Sequence, residues 1–169
     1  MELRLARRRA FVVLVSTVAA CSGTQAADRA ARPNQSACRT GGQTSDGPVV
    51  DNGVLLQNVL IDARGRQAGY RIHDDGRLER RPSGKPWVSG PTLTTEQVER
   101  VRGAIRVAGI DKLEPRYEPT ARADADAVVL HLDAEVSGAM RNIAIVRPCN
   151  VPAVDALIAR VNDVLKEVW

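Results

Sequence analysis

A short apolar run near the start limits what this chain can be. Ala10 to Ala20 carries no charge, and Arg4, Arg7, Arg8 and Arg9 precede it. A membrane-crossing helix needs about 20 apolar residues, so this run of eleven is too short to span a bilayer. Basic residues, a short apolar run and small residues in that order make up a secretory signal peptide. Residues 1–20 are therefore expected to be an address, and the rest an exported cargo in a compartment where disulfides persist.

Val18-Ala19-Ala20-Cys21 resembles the lipobox of bacterial lipoproteins. In that family an aliphatic and two small residues precede a cysteine that receives a diacylglyceryl group and becomes the acylated N-terminus. The resemblance implies that Cys21 is the site of lipid attachment, and that the protein reaches the membrane through this lipid. Ser22 stands where inner-membrane lipoproteins commonly carry Asp. If the host has two membranes, the expected place is therefore the outer one, facing the periplasm. Val18 and Ala20 also suit ordinary cleavage after Ala20, which would leave a secreted soluble chain. Arg8-Arg9-Ala10-Phe11-Val12 matches a twin-arginine signal as well, a match that basic residues before an apolar run produce easily.

The formal charge of +4 is mostly in the address, whose four Arg against Glu2 contribute +3. The cargo is near neutral, and its aromatics, Tyr70, Trp87, Tyr117 and Trp169, are scattered. Nucleic-acid binding wants a concentrated basic stripe and grouped rings, so no nucleic-acid partner is expected.

The three cysteines are odd in number for an exported chain. With Cys21 acylated, Cys38 and Cys149 remain to pair, the alternative being two free thiols. Two Cys and the two His, His73 and His131, lack the short spacings of a zinc site. Neither metal nor cofactor is expected.

Ser22 to Gly47 is polar and aperiodic, so 21–47 is read as a flexible tether and 48–169 as a single domain. Val54–Ile61 reads as a buried strand. Tyr70–His73 and Arg77–Arg80 alternate around Asp74-Asp75-Gly76, a hairpin. Pro82–Pro91 reads as loop. Thr94 and Gln97 form a capping box with Leu93 and Val98 as its hydrophobic staple, and Gly109 ends that helix. Gly103, in mid-helix, would be explained by a close approach to the sheet. Asp111–Ala125 has little pattern. Ala127–Asp133 and Arg141–Arg147 read as strands joined through Ser137-Gly138. Asn150 is expected to cap a last helix with Val154, Leu157, Ile158, Val161, Leu165 and Val168 on one face. The whole predicts an α+β fold: an antiparallel sheet of about four to five strands, with two amphipathic helices packed on one face.

Reactive constellations are scarce. His73 and His131 fall opposite the apolar positions of their strands and are expected at the solvent surface. There is no Gly-x-Ser-x-Gly elbow. Asp74-Asp75-Gly76 is better explained as a turn than as a calcium loop, and no catalytic residue is assigned.

Tyr70–Leu78 with Leu93–Gln97 and the Leu113/Tyr117 segment is similar to envelope domains of unknown function and to emfourin-type inhibitors of thermolysin-like metalloproteases. The similarity covers about residues 68–168. It implies a strand, Asp-Gly turn and strand leading to a capped helix, with a Pro-started helix closing the domain. The Gly-rich, Phe-containing N-terminal stretch of the inhibitors is missing, and no inhibitory residue is carried over. The expectation is a lipid-anchored, non-catalytic envelope protein whose domain binds a protein partner, with protease inhibition as one special case. The alternatives are a purely structural envelope component and, behind it, a hydrolase.

Overall fold

The computed structural model describes residues 38–41, 47–48, 50–120 and 126–169. The lipobox and Cys21 lie outside them. Eight strands form one sheet: β1 (Cys38–Thr40), β2 (Val54–Ile61), β3 (Gln67–His73), β4 (Arg77–Arg81), β5 (Val88–Thr92), β6 (Arg116–Pro119), β7 (Val129–Val136) and β8 (Ala139–Val146). Two helices, α1 (Thr95–Ala108) and α2 (Pro152–Leu165), complete the chain with one turn of 3-10 helix at Ile110–Lys112. The spatial order is β1-β6-β8-β7-β2-β3-β4-β5. Every neighbouring pair is antiparallel except β6 and β8, which are parallel.

This corrects the expected antiparallel sheet of four to five strands. The sheet is mixed and has eight, and the added strands are β1, β5 and β6. Two of these are the sheet's outer edges, and β6 is paired through only a few residues. A strand with one neighbour, or a short one, needs no long apolar alternation, and Pro is tolerated there. Pro91 within β5 and Pro119 within β6 are cases in point. Cys38–Thr40 comes from the segment read as tether, and it pairs with β6 through Cys38↔Pro119 and Thr40↔Tyr117.

The central elements follow the sequence. In β2 Val54, Leu55, Leu56, Gln57 and Val59 are all buried, as a strand covered on both faces should be. Register places Leu56, Ile72, Leu78, Leu132 and Ile143 on one side. These pack against Val98, Val101 and Ile105 of α1 and Val154, Leu157 and Val161 of α2 to form the main core. Both β-hairpins close as expected, at Asp74-Asp75-Gly76 with Gly76 at φ 87°, and at Ser137-Gly138 with both residues at positive φ.

Helix α1 starts at the expected box. Thr94 Oγ1 accepts from Gln97 N, and Gln97 Oε1 accepts from Thr94 N. Leu93 and Val98 are buried together, and Gly109 ends the helix in the left-handed region. Helix α2 differs: Asn150 does not cap it. Val151 is the N-cap, without a side-chain bond, and Pro152 opens the helix. Proline at the first helical position leaves one fewer N–H unpaired and brings a helical φ, so the helix starts without a polar cap.

Two glycines behave oppositely. A Cβ on Gly69 would lie 2.0 Å from the Asn58 carbonyl oxygen, a genuine close approach between β2 and β3. A Cβ on Gly103 would meet nothing within 4 Å, so the expected approach of α1 to the sheet at this position is absent. Gly103→Ala should therefore stabilise the protein by about 0.5–1 kcal/mol, and Gly69→Ala should cost about 1–3 kcal/mol, both read from denaturant midpoints. A destabilised Gly103→Ala protein would contradict the open environment found for α1.

Candidate functional site

The sheet face away from the helices holds the chemistry. Odd-numbered residues of β2, β3, β4 and β7 point there, because a pleated strand alternates its side chains. One cross-strand row runs Glu79, Arg71, Gln57, Asp133, Asn142, and the next runs Gly69, Val59, His131, Ala144, Arg116. Gln57, Val59, His131, Asp133 and Ala144 are buried although no helix among the described residues covers them. Between β1 and β2 the chain passes from the sheet edge to its centre, and two described residues of this connection lie on the same face. A Cβ on Gly47 would stand 3.1 Å from His131 Nδ1, and Asp51 Oδ2 accepts from Arg71 Nη1 at 2.5 Å.

Two polar groupings result. In the first, the Asp133 carboxylate accepts from Gln57 Nε2 at 3.0 Å and from Asn142 Nδ2 at 2.5 Å. Gln57 Oε1 is buried without a hydrogen-bond partner. Burial raises the Asp133 pKa above the ordinary carboxylate value, and the two amide donors and His131 oppose the rise. Burial lowers the His131 pKa; Asp133 pulls it back up and Arg116 pushes it further down.

The second grouping gathers around Glu79. Arg71 Nε and His73 Nε2 both meet Glu79 Oε2, the latter at 2.8 Å, and Arg77 Nη2 donates to His73 Nδ1 at 3.3 Å. These contacts assign the Nε2–H tautomer to His73. The Arg71 hydrogen bond is the main cause that holds Glu79 below its ordinary pKa. Trp87 lies against the same arginine, with the Arg71 guanidinium 4.7 Å and that of Arg81 5.7 Å from the ring centroid. Such stacking holds the β4–β5 loop over the sheet.

His73 and His131 thus lie on the face that strand alternation indicated, but the expectation that they are surface residues is overturned. They are 3% and 7% exposed. Alternation tells which face a side chain takes, not whether another part of the chain covers that face. Gln57, Asp133 and Asn142 were missed altogether. Their signal was present: Gln57 interrupts the apolar run of β2, and His131 and Asp133 alternate with leucines in β7.

Chemically, this face is an organised set of ion pairs and amide–carboxylate bonds. Both ring nitrogens of His73 and both oxygens of Asp133 are engaged within the protein. Among the described residues, no three His, Cys, Asp or Glu side chains gather to hold a metal ion. The Asp75 carboxylate bonds Arg77, as befits a turn. Cys38 and Cys149, expected as partners, do come together as a disulfide-compatible pair, with Cα atoms 5.8 Å apart. Cys149 is buried at the corner between β8 and α2. Comparison with family models, curated proteins and solved structures finds no match.

Two measurements test this geometry. Peptide mapping of the exported protein without reductant should recover Cys38 and Cys149 in one linked peptide pair, whereas alkylatable thiols at both positions would refute the bond. The second concerns His131. Its folded pKa lies below the unfolded value of about 6.5, so the unfolded chain binds more protons in the interval between them. Its contribution to stability is then complete above about pH 6.5 and falls as pH drops through the folded-state value. Asp133, with a raised pKa, works the other way: its contribution is complete below about pH 4 and is lost as pH rises through its folded value. His131→Gln should therefore flatten the loss of stability below pH 6.5 in urea titrations. Equal slopes for the variant and the native chain would exclude His131 as its source.

Proposed function

We propose that this protein is exported, held to the envelope membrane by a lipid on Cys21, and non-catalytic, its domain serving to bind another envelope protein. The observation that carries the binding role is an exposed aromatic beside an open sheet edge. Trp169 is 56% exposed, and its Nε1 lies 3.5 Å from where a Cβ on Gly90 of β5 would stand. Tryptophan is among the residues that most often dominate binding energy at protein interfaces. The non-catalytic reading is supported by the helix-free face, where Glu79 is engaged by Arg71 and His73, and Asp133 by two amides. A general base or nucleophile needs a free lone pair directed at substrate. Inhibition of an envelope protease is one form this binding could take.

Among the described residues no helix is long and apolar enough to cross a membrane; the anchor is assigned from the likeness of Val18-Ala19-Ala20-Cys21 to a lipobox. Cys21→Ala should move the protein from the detergent phase to the aqueous phase on partitioning, and unchanged partitioning would overturn the anchor. For the partner, cross-linking in intact membranes should capture one defined protein with the native chain. Trp169→Glu should reduce that product at least several-fold while leaving the unfolding midpoint in place. A cross-linking pattern indifferent to Trp169 would remove the ground for this interface.

A further inference from the structure

The two ends of the sheet differ in charge. β2 ends, and β3 begins, at the end where β7 begins and β8 finishes, because Ile61 pairs with both Gln67 and Val129, and Val129 pairs with Val146. β4 finishes and β5 begins there too, with Arg80 opposite Val88. The turns at this end carry Arg64, Arg66 and Lys85, with Arg80 and Arg81 at the finish of β4 and Arg147 just past β8; Asp62, Asp126 and Asp155, the partner of Arg147, are the described acids there. The turns at the opposite end carry Asp51, Asp74, Asp75, Asp111 and Glu114, offset by Arg77, Lys112 and Arg141, the last seated on the Asp111 and Leu113 carbonyls. Arg66 is paired with Asp62 and Arg147 with Asp155, whereas Arg64, Arg80 and Lys85 are exposed at the tips.

The chain also enters the sheet at the basic end. β6 runs parallel to β8 with Tyr117 opposite Ile145, so Pro119 lies toward the finish of β8, and Cys38 pairs with Pro119. Two large aliphatic side chains are exposed at this same end, Leu60 at 43% and Val88 at 44%. Basic tips with exposed aliphatics among them are the combination that favours the headgroup region of a bilayer.

We propose that this basic end of the sheet rests on an anionic phospholipid surface, an inference that builds on the membrane anchor at Cys21. Cys21 precedes Cys38 by 17 positions. A chain of that length reaches at most about 60 Å, and it joins the domain at the basic end. Anionic headgroups attract Arg and Lys within a Debye length, about 8 Å at physiological ionic strength. The acidic turns and the start of α1 then face away from the membrane. Trp169 lies on that side, since Glu167 meets Gln97 in the first turn of α1.

The two tryptophans of the chain are natural probes of this orientation. Trp87 is in the β4–β5 loop at the basic end, and Trp169 comes after α2. The exported protein, taken from whichever fraction it occupies, is combined with vesicles containing headgroup-spin-labelled phosphatidylcholine. The vesicles are either pure phosphatidylcholine or a mixture with phosphatidylglycerol. Trp169→Phe isolates Trp87, and Trp87→Phe isolates Trp169. Trp87 fluorescence should be quenched several-fold more by the anionic vesicles than by the zwitterionic ones, with Trp169 little affected in either. High salt, or Arg80→Glu with Lys85→Glu, should abolish the difference while thermal unfolding remains cooperative. Equal quenching of Trp87 by both vesicle types would overturn the proposal, as would quenching of Trp87 no greater than that of Trp169. So would quenching that appears only when a second, co-purifying protein is present. Because the fraction of origin reports the lipid on Cys21 separately, a soluble protein that still shows anionic quenching would refute the anchor and keep the surface.

Discussion

From Val54 to Gln57, β2 is buried on both faces, and the rest of the structure answers to that. Leu56 faces the helices while Gln57 and Val59 face the other way, and all three are fully buried. A strand covered on both faces needs something on each. On one side two amphipathic helices supply the usual apolar layer. On the other, the described residues hold no helix, and the cover comes from cross-strand polar rows, a loop held by Trp87, and part of the connection into β2. A face covered in this way must satisfy its own polar atoms, because a buried donor or acceptor without a partner costs about 1–3 kcal/mol.

That requirement explains the composition of the rows. Asp133 is tolerated because two amide groups meet its oxygens, and Glu79 because an arginine and a histidine converge on it. Neither grouping is strong evidence of extra stability, since the desolvation of buried charges consumes much of their attraction. What such groupings do supply is specificity of register. A slip of β2 by one residue against β7 would set Gln57 among leucines and leave Asp133 with Asn142 as its one amide donor. The orphaned Gln57 Oε1 is the place where this accounting does not close, and the structure offers no partner for it.

How much of this could be read from the sequence depended on how local the signal was. The α1 cap and the turns at Asp74-Asp75-Gly76 and Ser137-Gly138 are fixed by neighbours within a few residues, and all were placed correctly. So were the apolar stripes of α1 and α2. The strands β1, β5 and β6 were missed because their reason for being strands lies in a partner far along the chain. Cys38–Thr40 has no β-pattern of its own and becomes a strand by lying beside Arg116–Pro119. The polar rows were half visible. Periodicity gave the correct face for His73 and His131, but the loss of solvent there depends on the Gly47 and Asp51 region crossing the sheet, a long-range event that no window of residues reports.

The placement of Cys38 opposite Cys149 has a mechanical side. β1 is the outermost strand, held to β6 through three residue pairs, and strands so placed are the first to peel when the chain before them is pulled. A covalent link from Cys38 to Cys149 sends such a pull past β1 and β6 to the buried corner between β8 and α2. The intervening 111 positions, which contain nearly the whole sheet, are then removed from the line of force. A pull on the chain before Cys38 would then be borne at that corner, without the sheet being unzipped from its edge.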